Sequence, residues 1–235
     1  MNPKSSYKDI FGLALESFYT HQDKTSIKVH NEDFYDDEIP VEYLFRTYQQ
    51  MPELEQIALD LCKGRILDVG CCSGSHSLVL KSRELEVLPI DISPKSIKIC
   101  NKRGLKEAKC LDFFELENEK FDTILLLMNG IGIAQTLDNL DFFFEKLECL
   151  MHPNGQVLLD SSDLVFLYEN ELDETDDYYG QMTYKISYKK SVSNAFQWLY
   201  LDFDLLKKEA SKRGFLCELM FEDEHYGFLA KLKFN

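Results

Sequence analysis

The sequence has no two cysteines spaced C-x-x-C, and its seven cysteines (Cys62, Cys71, Cys72, Cys100, Cys110, Cys149, Cys217) make an odd count. Neither a disulfide framework nor a zinc site is indicated, and a reducing, cytoplasmic setting is predicted. The N-terminal stretch MNPKSSYKDIFGLALESFY lacks a basic start followed by a long apolar run. No later segment reaches the length of a membrane span, so neither a secretory signal nor membrane attachment is expected. Basic charge is scarce too: 26 Lys and Arg face 41 Asp and Glu, a net charge of -15. Such a surface repels phosphate backbones and disfavours nucleic acid as a partner. Internal repeats and low-complexity tracts are missing, and the spacing of His and acidic residues suggests no metal.

What is present is an alternating pattern. Residues 1 to about 62 show helical spacing, with Pro40 and Pro52 as first-turn prolines, and predict a helical N-terminal extension. From Arg65 short apolar runs (RILDV, EVLPI, FDTILLLM, GQVLLD) alternate with helical stretches at 75–83, 94–103 and 137–150. This implies a parallel sheet covered on both faces, residues 63–235 forming one α/β domain. Asn154-Gly155 reads as the turn into GQVLLD. Six of nine residues from Glu169 to Asp177 are acidic, a solvated loop. Next, MTYKISYKK and NAFQWLYLD alternate across a short turn, a β-hairpin within an insertion at about 164–201. After a helix at 203–213, FLCELMFE and YGFLAKLKF are joined by too few residues for a parallel crossover, so they must pair antiparallel.

Chemistry concentrates in RILDVGCCSG, where a strand runs into a Gly-x-x-x-Gly turn and a helix; glycines there let backbone approach a ligand. Asp91 closes the next strand, 21 residues after Gly70, where a carboxylate at a strand tip can accept both hydroxyls of a ribose. A nicotinamide dehydrogenase would share that geometry. Four features separate the two readings. The turn is not G-x-G-x-x-G, because Cys72 sits between Gly70 and Gly74. Asp68 lies inside the first strand, where a buried acid needs partners and can orient the loop near a cationic ligand. Asp112 and Phe113 follow a third short strand, offering a carboxylate for an adenine amine and a ring for the base. The antiparallel closing pair is unusual for dinucleotide binders.

On these residues the chain resembles the class I S-adenosylmethionine-dependent methyltransferases, over roughly residues 60 to 165 and the C-terminal pair. The resemblance implies a Rossmann-like, seven-stranded, mostly parallel sheet and S-adenosylmethionine as cofactor. It further implies that Asp68, Gly70, Cys72 and Gly74 line the methionine end, Asp91 takes the ribose hydroxyls, Ile92 packs on adenine, and Asp112 with Phe113 holds the adenine rim. Asn129, after FDTILLLM, stands at the fourth strand tip, which faces the cofactor and often the acceptor in this family. Cys72 replaces the middle glycine of the family pattern. That departure keeps a non-catalytic, cofactor-binding scaffold in view as an alternative, with a nicotinamide-dependent oxidoreductase behind it.

Arg46, with Tyr43 on the same face, is either a donor to the cofactor's carboxylate or a surface arginine. His76 either contacts the cofactor or caps the first core helix. Asp163 either lines the acceptor site or caps a loop. Aromatic residues crowd the hairpin (Tyr184, Tyr188, Phe196, Trp198, Tyr200), mostly as packing, with Tyr178 and Tyr179 the best candidates for a lid over an acceptor. MNGIGIAQ after the fourth strand is not the Asn/Asp-Pro-Pro-Tyr signature of amide and nucleobase N-methylation, which favours a small-molecule acceptor. No general base, and no oligomeric state, is assigned.

Overall fold

The computed structural model describes residues 8–31, 34–168 and 178–234; the acidic stretch 169–177 lies outside them. The chain opens with helix α1 (Ile10–His21), strands β1 (Ile27–Asn31) and β2 (Asp37–Ile39), 3-10 turns at Val41–Phe45 and Tyr48–Gln50, and α2 (Glu53–Leu61). The core follows as β3 (Arg65–Val69), α3 (Ser75–Ser82), β4 (Glu86–Asp91), α4 (Pro94–Lys102), β5 (Lys109–Cys110), β6 (Phe121–Leu126), α5 (Leu140–Leu150) and β7 (Met151–Ser162). Then come β8 (Gln181–Tyr188), β9 (Ser191–Val192), β10 (Phe196–Leu199), α6 (Phe203–Lys212), β11 (Phe215–Glu222) and β12 (Gly227–Phe234).

The large sheet has seven strands in the order β11-β12-β7-β6-β3-β4-β5. Strands β3 to β7 run parallel, while β12 pairs antiparallel with β7 and β11 with β12, as the short connection requires. Strand alternation distributes the apolar residues to the two faces. Leu67, Ile124, Leu126, Val157, Leu159, Ala230 and Leu232 pack with α5 and α6 on one side. Ile66, Leu125, Leu158 and Leu229 pack with α2 and α3 on the other. Both faces are therefore covered, and the strands read as continuous apolar runs because each buries both sides.

The strand order reverses between β3 and β6, since the chain leaves β3 toward β4 and later returns to its other side at β6. A crevice at such a switch point, beyond the carboxyl ends of the strands, is where open α/β sheets bind ligands.

Two expectations are corrected. The first 62 residues are not all helical: β1 pairs with β2 and with β8, and β10 pairs with β8, so the N-terminal segment and the inserted hairpin build one second sheet, β10-β8-β1-β2, with β9 on β8. Five-residue strands such as IKVHN are too short for their alternation to stand out from helical spacing. Asn154-Gly155 is no turn either, because β7 already begins at Met151. The register against β6 jumps from Phe121–Met151 to Thr123–Gln156, so the residues between bulge outward. Gly155 fits there because an added Cβ would lie 3.0 Å or less from the His152 and Phe121 carbonyls.

Candidate active site

The turn after β3 is built from three left-handed residues, Gly70 (φ 71°), Cys72 (φ 52°) and Gly74 (φ 81°). At Gly70 an added Cβ would meet nothing within 4 Å, so this backbone borders open space. Gly74 is required for a different reason: its Cβ would fall 2.3 Å from Leu105 Cδ1, so only glycine lets α3 start against the α4–β5 connection. Cys72 tolerates its left-handed φ at a cost of about 1–2 kcal/mol. Its side chain packs against the N-terminal cluster that includes Leu44 and Ile99, and burial pushes its thiol well up, so it is held as an inert neutral group.

Two carboxylates shape the turn. Asp91, at the tip of β4, accepts the Cys72 N–H on one oxygen and the Ser93 N–H on the other, both at 2.8 Å. Burial pushes its carboxyl up to about 6 against the pull of those two N–H groups. Each oxygen keeps a further lone pair for an outside donor. Asp68 is only 2% exposed and accepts the Ser77 hydroxyl at 2.5 Å, tying the end of β3 to the first turn of α3. Burial raises its carboxyl as well.

Ile92, just beyond Asp91, is 52% exposed. The Leu111 N–H donates to the Asp91 carbonyl, which sets Asp112 beside the same tip; Asp112 is exposed and caps the following turn through the Phe114 N–H. Phe113 departs from expectation. Its ring is 4% exposed and lies in the core against Phe114 and Phe143, so it offers no face to a base.

At the tip of β6, Met128 and Asn129 are consecutive non-glycine residues in the left-handed region. Asp160 of β7 holds them there by accepting the N–H groups of Met128 (3.0 Å) and Gly130 (2.9 Å). Paired strain of this kind is kept where surrounding bonds over-determine it, and it collects at functional sites. Asn129 Nδ2 donates to the Leu199 carbonyl, and its Oδ1 is buried without a partner among the described residues.

Arg46 is 5% exposed at the end of the first 3-10 turn, so the surface alternative fails. Its guanidinium clamps Glu55 of α2 through Nε (3.0 Å) and Nη2 (2.5 Å), donates to the Tyr43 carbonyl, and lies 4.1 Å over the Tyr43 ring. His76 joins the same carboxylate through Nε2 at 2.9 Å. Burial alone would raise the Glu55 carboxyl, but His76 and Arg46 outweigh it and hold it low.

The residues 62–208, more than half of the chain, match the family described as "Methyltransferase domain". The crystal structure of an S-adenosylmethionine-dependent methyltransferase from Bacteroides fragilis, in complex with S-adenosyl-L-homocysteine, is 44% identical to this chain with a TM-score of 0.90, covering 97% of this chain and 95% of that one.

The chain belongs to the S-adenosylmethionine-dependent methyltransferases.

Two further solved structures share the architecture at lower identity. The DhpI complex with SAM and HEP is 16% identical (TM-score 0.60; 82% of this chain, 90% of that one), and Streptomyces venezuelae DesVI is 14% identical (TM-score 0.54; 78% and 92%). No curated protein matches the sequence. For this methyltransferase the residues at the switch point fit the cofactor its family uses. Open space adjoins Gly70, carboxylates stand at neighbouring strand tips, and an exposed apolar side chain lies beside Asp91.

Sequence reasoning missed Glu55 and Asp160. Asp160 was legible by the rule that found Asp91, an acid closing an apolar strand. Glu55 gave no local signal, because its partners Arg46 and His76 come from separate elements. Three other residues carry hydrogen bonds that order the neighbouring turns. Asp163 caps the turn at Val165 and accepts the Tyr179 hydroxyl. Tyr178 exchanges hydrogen bonds with Asp202, which caps α6.

Proposed function

We propose that this methyltransferase acts on a small organic acceptor, and that the second sheet, α1 and the 3-10 turns form the roof of its site. The observation that carries the reading is how that roof is fastened. The Trp198 ring of β10 abuts Gly132, where an added Cβ would sit 2.1 Å from it, and Asn129 reaches the Leu199 carbonyl beside it. Leu44 is tied to the glycine turn by the hydroxyls of Ser73 and Ser75, with Arg103 bonded to both. Both attachments land on the strand tips, so an acceptor reaches them between two sheets. A polymer track would need an open surface, and the net charge of -15 opposes a polyanion.

In this reading Asp91 takes the ribose hydroxyls, Ile92 covers one face of the adenine, and Asp112 with the Phe113 backbone borders its rim. The backbone at Gly70, Cys72 and Gly74 approaches the methionine part. Asp68 acts by locking the turn to α3, and Asn129 faces the reacting end. Arg46 is placed to meet a carboxylate with the donor capacity that Glu55 and Tyr43 leave over. When bound, S-adenosylmethionine supplies a methyl group on a cationic sulfur, a strong electrophile. The protein's part is alignment and exclusion of water. The odd cysteine count without C-x-x-C spacing is the support for a reducing, cytoplasmic setting.

Incubation with methyl-labelled S-adenosylmethionine and a panel of small acceptors, read by mass spectrometry, tests the proposal. Label in a small-molecule product is expected; label confined to protein or nucleic acid would reverse the assignment of the acceptor.

A further inference from the structure

The roof sheet has an inner face of two characters. Directly opposed residues of antiparallel strands share a face. The register Ile27–Ile39, Val29–Asp37, Val29–Ile186 and Tyr184–Phe196 therefore puts Ile27, Val29, Ile39, Ile186, Asp37, Tyr184 and Phe196 on one side. The apolar members pack on α1. The other end of the face carries Asp37, Tyr184 and Trp198, and Tyr200 follows directly after β10. Trp198 is the side chain that lands on the β6 tip.

Tyr184 and Tyr200 lie with ring centroids 6.5 Å apart and share a hydroxyl–hydroxyl hydrogen bond. Tyr200 follows Leu199, whose carbonyl takes the Asn129 amide, while Asp160 accepts the N–H groups of Met128 and Gly130 on either side of Asn129. The roof's aromatic end and the acid at the β7 tip thus meet on the same β6-tip residues, and Asp160 acts on both Tyr200 and Tyr43, with Asp37 also acting on Tyr200. Lys185 alternates to the outer face of β8, and the charge of Arg46 is taken by Glu55. Beside this place the Asn129 Oδ1 is buried without a donor among the described residues. Aromatic faces, carboxylates and an acceptor oxygen without a donor make a site complementary to an N–H-bearing cation.

Resting on the small-molecule reading above, we infer that the acceptor is an amine, met as its ammonium by Asp37, Asp160, Tyr43, Tyr184, Tyr200 and Trp198. Methylation requires the neutral nitrogen, so the ammonium first gives a proton to water. The nitrogen lone pair then forms the new N–C bond while the C–S bonding pair stays on sulfur. The methylated ammonium product leaves as a cation or sheds a proton to water. The net charge of -15 raises the local concentration of such a substrate.

Calorimetry on the full chain first checks binding of S-adenosylhomocysteine. The loaded protein is then titrated with 3,3-dimethylbutylammonium, with its neutral isostere 3,3-dimethylbutan-1-ol and with the anionic 3,3-dimethylbutyrate. The ammonium is expected to bind at least tenfold tighter than the neutral isostere, with the anion weaker still. Asp37→Asn, on the exposed strand β2, should weaken the ammonium at least threefold without changing the affinity for S-adenosylhomocysteine, and Tyr200→Leu should do the same. Equal binding of the neutral isostere, no binding of the ammonium, or indifference to Asp37→Asn would overturn the proposal. In a labelled small-molecule extract, methyl groups on oxygen or sulfur would overturn it while leaving the small-molecule reading intact. Label only in macromolecules would remove both.

Discussion

Replacing Asp91 by alanine removes a carboxylate whose two oxygens each hold a backbone N–H, from Cys72 and Ser93, at 2.8 Å. If the remaining lone pairs take the ribose hydroxyls, the variant loses hydrogen bonds to a charged acceptor, worth about 1.5–3 kcal/mol. The dissociation constant for S-adenosylhomocysteine should rise about ten- to a hundredfold, since about 1.4 kcal/mol is a factor of ten. Calorimetry at pH 8 measures it. A pH series adds a sharper check, because burial pushes this carboxyl up to about 6. Protonation turns one acceptor oxygen into a donor, so the wild-type affinity should fall as the pH drops through 6, approaching tenfold per unit. The contribution of Asp91 to folding has the opposite sign. Its value in the folded chain lies above the ordinary 3.8, so the stability it adds is fully present below about 4 and is lost as the pH rises through 6. Because Asp160 is pushed up to about 6 as well, the quantity to read is the difference between wild type and Asp91→Ala. An unchanged dissociation constant, or an identical pH profile in the variant, would remove Asp91 from the cofactor site.

Cys72→Gly relieves a left-handed non-glycine residue and gives up packing on the N-terminal cluster; S-adenosylhomocysteine affinity should be kept or improved, and a large loss would mean that the thiol itself contacts the cofactor. Glu55→Gln breaks a buried pair and leaves Arg46 without its counter-charge, so thermal or urea unfolding should show a loss of about 3–5 kcal/mol; a loss under about 1 kcal/mol would show that the clamp is dispensable. Because the Glu55 carboxyl is held low, its contribution is present above the ordinary carboxylate value of 4.5 and is lost as the pH falls below it, which comparison of acid unfolding in wild type and Glu55→Gln would reveal. Gly132→Ala forces a Cβ into the Trp198 ring, so kcat/KM for methyl transfer should drop much further than affinity for S-adenosylhomocysteine; equal losses would mean that the contact supports the whole fold.

The core was legible because its signals are local. RILDV and FDTILL are strands buried on both faces, Ser93-Pro94 is a side-chain cap followed by a first-turn proline, and Gly74 guards a close approach, each readable within ten residues. The second sheet was not legible, because its partners lie far apart: Val29 meets Ile186 across more than 150 residues, and five-residue strands carry too little alternation to announce themselves. The same distance rule divides the site residues. Asp91 and Asp68 stand out in the sequence because an acid within or closing an apolar strand is a local signal. Arg46 drew notice for its charge, but its true environment depended on Glu55 and His76, which only folding brings to it.

That division has a physical consequence for the acceptor. A cofactor common to a family can be held by short strand-tip motifs, because one sheet edge presents all of them at fixed spacing. In the proposed reading the acceptor's contacts arise instead where the N-terminal strands and the inserted hairpin close on each other, and no single segment contains them. Asp37 illustrates the point: alone it is one acid among 41 acidic residues, and only its register with Val29, and through Val29 with Ile186, sets it on the face that carries Tyr184. On that proposal a substitution that shifts β2 by one residue should alter acceptor choice while leaving S-adenosylhomocysteine affinity as it is, and unchanged acceptor preference would count against a role for strand register in specificity.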